Sequence, residues 1–510
     1  MPSAKVVLDS AFTTGPVPRR LFGTFVEHMG RCVYTGIYEP GHSTADDQGL
    51  RGDVLALTRE IGPTVVRYPG GNFVSNYRWE DGIGPKAERP TRLDLAWHSI
   101  ETNQFGLHEF DDWVNKVGAE VMMAVNLGTR GMQEACDLLE YTNHAGGTYW
   151  SDRRIANGAK EPFSYKLWCL GNEMDGPWQV GHKTAAEYGR LASETGKAMR
   201  LIDSEIELVA CGSSNSSMPT FGSWESTVLE LCYEAVDYIS LHTYYQEKDA
   251  DALTFLASAV NMDNFIEDVI ATADAVRARD RHKKRINLSF DEWNVWYIHQ
   301  FEGDGPQPNS AEWVPYPRLI EDEYNITDAV VVGTFLNSLL RHGDRVRIAN
   351  QAQLVNVIGL LRTEEGGAAW MQTIAYPFEQ MRKLAQGQII QVVATGDKFD
   401  SPTYTDVAYV DTSATYDQAS GRAALFVANR SLEESSTLEV ELRGLGVTAV
   451  LGSSTLHAGE RQDRHTTNSL TNQDAVTPRP FDEYTLDSGQ FRAELPPLSW
   501  TVFEFECPRS

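Results

Sequence analysis

Trp168-Cys169-Leu170-Gly171-Asn172-Glu173-Met174-Asp175 runs from an apolar stretch straight into an Asn–Glu pair. A second stretch, Leu288-Ser289-Phe290-Asp291-Glu292-Trp293-Asn294, leads in the same way to Glu292. Continuous apolar runs of this length read as strands covered on both faces. A carboxylate at the C-terminal end of such a strand stands where parallel barrels keep their chemistry. Two of them, far apart in sequence, can face each other across one pocket.

Working outward, strand-like runs recur at 21–26, 64–68, 121–126, 166–171, 207–211, 238–241, 286–290 and 346–349, eight in all. Between them lie amphipathic helical patterns, clearest at 110–117, 132–141, 185–202, 265–279 and 326–341. The last begins after Asn325, a residue type that caps helices. Strands alternating with helices imply a parallel sheet, and eight repeats imply a closed (β/α)8 barrel. An open doubly wound sheet is the alternative, but it calls for a glycine-rich phosphate loop, and Phe22-Gly23-Thr24-Phe25 is not one.

After about residue 385 the texture changes. Runs at 389–394, 406–411, 423–429, 437–442, 447–451 and 500–505 are short and separated by Gly, Ser, Asn and Asp. This pattern predicts an antiparallel β-sandwich. The expected division is therefore a catalytic α/β barrel over residues 18–384 and a jelly-roll-like sandwich over 385–510. Residues 5–8 look like one more strand, so residues 1–17 are expected to complete the sandwich.

The composition is that of a folded chain of 510 residues, 42% hydrophobic and 10% aromatic. With 44 basic and 71 acidic residues the formal charge is −27, which disfavours nucleic acid and anionic membrane as partners. It suits a small neutral substrate. No signal peptide or membrane span is read, which points to the cytoplasm. The six cysteines form no C-x-x-C pair and read as buried thiols in a reducing compartment. No clustered Cys/His spacing or His-x-His after the first strand is present, so no metal and no cofactor are expected.

A lone glutamate after a strand is usually exposed or ion-paired. Two, with amide and aromatic neighbours, are the equipment for glycoside hydrolysis: one acid/base and one nucleophile. Their environments must differ, because one has to stay protonated while the other is ionised.

Trp168-Cys169-Leu170-Gly171-Asn172-Glu173-Met174-Asp175-Gly176-Pro177-Trp178-Gln179 closely resembles the acid/base segment of the α-L-arabinofuranosidases of glycoside hydrolase family fifty-one. The resemblance extends to Phe22-Gly23-Thr24-Phe25-Val26-Glu27-His28, Arg67-Tyr68-Pro69-Gly70-Gly71-Asn72-Phe73, His242-Thr243-Tyr244-Tyr245 and Asp291-Glu292-Trp293-Asn294. It covers essentially the whole chain. It implies a retaining, exo-acting hydrolase of terminal arabinofuranosyl groups on arabino- and arabinoxylo-oligosaccharides, with Glu173 as acid/base and Glu292 as nucleophile. It implies further that Asn172 bonds the sugar 2-hydroxyl, that Tyr244 holds the nucleophile, and that Glu27, Asn72 and Gln353 read the furanose hydroxyls. A homo-oligomer, commonly a hexamer, goes with it.

Beside the resemblance, the residues allow other roles. His242 points to the same side of its strand as Tyr244 and is expected near Glu292, helping to keep it ionised. A structural histidine is its alternative. Arg67 is expected to orient a carboxylate. Trp97 and Trp178 are candidates for apolar walls under a sugar, ahead of Trp296. Asn126 is a weaker candidate that can equally serve a loop. Gly70-Gly71 reads as a tight turn letting backbone approach the ligand. The loop 301–317, with Phe301, Trp313 and Tyr316, is expected as one wall of the pocket. Rival readings are a β-xylosidase or endoglucanase of the same clan, and a non-catalytic carbohydrate-binding protein.

Overall fold

The computed structural model describes residues 1–299, 312–459 and 463–509. Eight strands close into a barrel: β1 (Gly23–Phe25), β2 (Val65–Tyr68), β3 (Glu120–Ala124), β4 (Leu167–Leu170), β5 (Glu207–Ala210), β6 (Tyr238–Tyr245), β7 (Asn287–Val295) and β8 (Val346–Gln351). Every neighbouring pair is parallel, and β8 pairs with β1 to close the ring. Residues alternate along each strand. Val65, Met122, Ala124, Leu167, Cys169, Val209 and Ile348 form one buried cluster. Their strand neighbours Val66, Val121, Met123, Trp168, Leu170 and Leu208 join the larger core. Both faces are covered, which is why the strands read as unbroken apolar runs.

The surrounding helices are α1 (Gly52–Ile61), α2 (Leu107–Val117), α3 (Met132–Asn143), α4 (Ala185–Ile202), α5 (Ser223–Cys232), α6 (Ala259–Asp280), α7 (Ile326–Arg341) and α8 (Ala375–Leu384). Asn325 does cap α7, its Oδ1 accepting from the Thr327 and Asp328 amides at 2.7 and 3.3 Å. No helix among the described residues is long and apolar enough to cross a membrane.

Two barrel strands run further than the sequence pattern predicts. β6 continues to Tyr245 and β7 to Val295, so Tyr244 and Glu292 lie within strands rather than after them. The apolar run stops earlier because Tyr244 and Glu292 are polar and hydrogen-bond to each other, while backbone pairing continues. β7 also carries one residue more than β6 between the pairings Ser240↔Ser289 and His242↔Glu292. An irregularity of this kind re-aims side chains, and here the consecutive Asp291 and Glu292 both reach His242.

Two sheets stack beyond the barrel. One has the order Val393–Gly396, Ser3–Asp9, Ser436–Arg443, Gln490–Leu495, Tyr484–Asp487. The N-terminal strand enters it parallel to Ser436–Arg443. The other has seven strands, and Thr13–Pro16 pairs with Gln388–Ile390 at its edge. Leu425, Val440, Phe491, Phe503 and Phe505 fill the space between the sheets. The opposite face of the seven-stranded sheet lies on α7 and α8. Trp500 packs where a Cβ on Gly333 would come within 2.3 Å of its ring, and its indole N–H donates to Gln380 at 3.0 Å. The hairpin of Tyr484–Asp487 and Gln490–Leu495 was not among the expected strands, although Gln490–Leu495 alternates buried and exposed positions as a half-buried strand does.

Candidate active site

The C-terminal ends of the barrel strands bring the expected residues together. β4 ends in a turn whose Gly171 has φ 91° and whose Glu173 has φ 44°. A non-glycine residue in left-handed backbone costs about 1–3 kcal/mol and is found where a side chain must be aimed. Glu173 is aimed at His242, whose Nδ1 lies 2.9 Å from its Oε1. Trp178 donates its indole N–H to Glu173 Oε2 at 2.7 Å.

Glu292 is held differently. Arg67 Nη1 donates to its Oε1 at 2.6 Å and Tyr244 donates its hydroxyl to Oε2 at 2.8 Å. Arg67 is buried, sits over the Phe25 ring, and donates through Nη2 to Asn172 Oδ1 at 2.8 Å. Burial works against its charge, but Asp291 and Glu292 hold its proton. One oxygen of Glu173, one of Glu292 and a ring nitrogen of His242 all lie within 4.8 Å of one another. Retaining glycosidases place their two carboxyls about 5–5.5 Å apart, and inverting ones further.

Burial, together with the charge of Glu292, pushes the Glu173 carboxyl up from the usual range, against the hydrogen bonds from His242 and Trp178. Glu292 keeps a guanidinium and a phenol on its oxygens.

His242 stands near Glu292 without a hydrogen bond to it. Its hydrogen bonds go to Glu173 and to Asp291, whose Oδ1 is 2.8 Å from Nε2, while Glu292 Oε2 is 3.6 Å away. Burial would lower its pKa, but the charge of Glu292 and the bonds to Asp291 and Glu173 outweigh this and push it up to about 10. Both ring nitrogens of His242 already face carboxylates. Glu173, His242 and Glu292 converge as a metal triad would, but the donor set does not fit one.

Glu27 follows β1 and forms the other wall. Its Oε1 accepts from the Phe73 amide at 3.0 Å and Trp97 Nε1 at 2.9 Å, and its Oε2 from Gln353 Nε2 at 3.0 Å. Burial pushes its pKa up to about 8. Gly70 and Gly71 make room for this side chain. A Cβ at either would come within 2.7 Å of Glu27 Cγ or 2.5 Å of its Oε2. Asn72 stands beside them and accepts from Asn172 Nδ2 at 3.2 Å. Trp97 is buried against Glu27, whereas Trp178 is 49% exposed at the mouth.

Asn126 serves its loop. It donates to the Tyr77 carbonyl and accepts from the Gly128 and Thr129 amides. Trp296 meets Tyr244 edge-on at 5.3 Å. Of the expected loop wall, residues 301–311 lie outside the described residues. Val314–Pro315 extends the hairpin of Arg92–Asp94 and Ser99–Glu101, and Trp313 stacks on His98 at 3.8 Å.

Sequence reading missed Asp291 as the partner of His242, although it precedes Glu292 in the quoted motif. It also missed Gln179, which reaches Ser75 Oγ and lies 3.5 Å from Asn172 Nδ2. Neither carries a spacing signal, because both act through contacts made in the folded chain.

Residues 57–283 match the family description "Alpha-L-arabinofuranosidase 1 domain" and residues 291–499 match "Alpha-L-arabinofuranosidase C-terminal domain". An intracellular exo-alpha-(1->5)-L-arabinofuranosidase of Streptomyces lividans is 54% identical over 514 residues, covering 100% of this chain and 76% of its own. The chain belongs to the family 51 α-L-arabinofuranosidases. A solved structure of a family 51 α-L-arabinofuranosidase from Bifidobacterium longum matches with a TM-score of 0.94 at 46% identity, covering 99% of this chain and 100% of that one. An exo-alpha-(1->6)-L-arabinofuranosidase of Bifidobacterium longum is 50% identical, covering 98% of this chain and 96% of its own. Family 51 relatives at nearly equal identity thus carry names with different linkages.

Proposed function

We propose that the protein is a retaining exo-α-L-arabinofuranosidase that releases terminal non-reducing arabinofuranosyl groups from arabino- and arabinoxylo-oligosaccharides. The observation that carries this reading is the pair Glu173 and Glu292, close enough for double displacement, each held by its own donors and with the Glu173 carboxyl pushed up by burial. Glu292 attacks the anomeric carbon while Glu173 gives its proton to the leaving oxygen. Water then displaces the sugar from Glu292 as Glu173 takes a proton back, so the configuration is retained.

Arg67 and Tyr244 hold the nucleophile, His242 holds the acid/base, and Asn172 meets the sugar 2-hydroxyl. Glu27, Asn72 and Gln353 read the remaining hydroxyls, and Trp97 and Trp178 flank the sugar. The barrel over 18–384 carries the chemistry, and the sandwich over 385–510 with 1–17 braces it. Relatives named intracellular support a cytoplasmic enzyme. Family resemblance supports a homo-oligomer, a hexamer, which light scattering after size exclusion tests.

The test of function is nitrophenol release from 4-nitrophenyl α-L-arabinofuranoside, beside the β-D-xylopyranoside and β-D-glucopyranoside, by wild type and Glu292→Ala. Selective arabinofuranoside cleavage, lost in the variant, is expected. Preference for another glycoside overturns the substrate, and full activity in Glu292→Ala overturns the nucleophile.

A further inference from the structure

Both oxygens of Glu173 are capped by N–H donors, His242 on Oε1 and Trp178 on Oε2. A carboxylate gains more from N–H donors on both oxygens than a protonated carboxyl does, so these bonds favour the ionised form. Loss of either donor shifts Glu173 toward the protonated acid. His242 is buried and pinned between Asp291 and Glu173. Trp178 is half exposed, and its indole sits against Gly176, where a Cβ would come within 2.6–2.8 Å of the ring. Trp178 is the donor that can move.

Resting on the reading of Glu173 as acid/base, we propose that Trp178 is a positioning residue which ties the protonation of Glu173 to occupancy of the leaving-group side. An arriving aglycone displaces the indole N–H from Oε2. Burial and the Glu292 carboxylate on β7 then favour the protonated carboxyl, which takes its proton from solvent. His242⁺ with Asp291 behind it, and Arg67 on β2, remain in place and oppose this in part, while Tyr244 on β6 faces Glu292. Glu173 gives that proton to the leaving oxygen as the glycosidic bond breaks. Once the aglycone departs, the indole returns and favours the carboxylate, which accepts a proton from the water attacking the sugar–Glu292 ester. One mobile N–H thus serves the acid step by leaving and the base step by returning.

The experiment is the pH dependence of kcat/KM on an arabinobiose, whose poor leaving group needs the acid, for wild type, Trp178→Phe and Gly176→Ala. Phenylalanine keeps an aromatic wall and deletes the N–H. Gly176→Ala keeps the indole and dislodges it. A hydrogen bond to a charged group contributes about 1.5–3 kcal/mol, less where solvent enters. The basic limb is therefore expected to move up by about half to one pH unit in both variants. A raised KM with an unmoved basic limb overturns the proposal and leaves Trp178 as a sugar wall. Glu173→Ala separates the two ideas. If it abolishes the basic limb and azide restores turnover of 4-nitrophenyl α-L-arabinofuranoside, the acid/base reading stands whatever the Trp178 variants do. If the limb persists in Glu173→Ala, the reading of Glu173 fails, and the proposal with it.

Discussion

Replacing Glu27 by glutamine takes the charge off a buried carboxyl and changes almost no volume. Burial raises the Glu27 pKa to about 8 from an ordinary 4.5, against the pull of the Phe73 and Trp97 donors. The folded chain therefore binds this proton more tightly than the unfolded chain does. The stability so gained is complete below pH about 4.5 and is lost as pH rises through about 8. A difference of about 3.5 units at about 1.4 kcal/mol each sets an upper bound near 5 kcal/mol. Glutamine can satisfy the site, because the Gln353 Oε1, which has no partner among the described residues, can turn to accept its amide N–H. Glu27→Gln should thus flatten the decline in melting temperature between pH 5 and pH 9, and gain on wild type at the alkaline end. Arabinofuranoside turnover should fall about 10- to 100-fold, since an amide N–H now faces a sugar hydroxyl that needs an acceptor. Thermal scans and kcat/KM on the same samples test both. A stability difference that is the same at pH 5 and pH 9 refutes the reasoning, because it shows that the three N–H donors, and not burial, govern this carboxyl.

Other consequences follow from the same geometry. Tyr244→Phe deletes the hydroxyl on Glu292 Oε2 and leaves the ring against Trp296. It should lower kcat/KM by about 10- to 100-fold with little change in melting temperature. Gly71→Ala drives a Cβ to 2.5 Å from Glu27 Oε2, so about 1–3 kcal/mol of stability should be lost along with activity; a denaturant midpoint unchanged from wild type argues against this packing. His242 holds its proton to about pH 10 in the folded protein against 6.5 ordinarily, so its contribution is full below 6.5 and lost through 10. In His242→Gln the melting temperature should be lower at neutral pH and fall less on going to pH 10, and curves parallel to wild type would count against the charge assignment.

Much of the fold was legible because barrel strands advertise themselves. Two covered faces force unbroken apolar runs, and the helices between them repeat with a period that a surface stripe demands. The strand ends were not legible, since Tyr244 and Glu292 break the apolar run without breaking backbone pairing.

The amino-acid sequence by itself determined the barrel, the sandwich after it, and the two glutamates, because chain-local patterns encode which segments pair and where carboxylates fall. Only the tertiary structure decided what touches those carboxylates. That His242 bonds Glu173 and Asp291 rather than Glu292 depends on one extra residue in β7 and on three strands meeting at one end. That Gly70 and Gly71 make room for Glu27, and that Trp178 caps Glu173, depend on contacts between loops brought together by closure of the barrel. Local sequence sets backbone preference, whereas burial and charge pairing at a site are sums over neighbours that the chain supplies from everywhere at once.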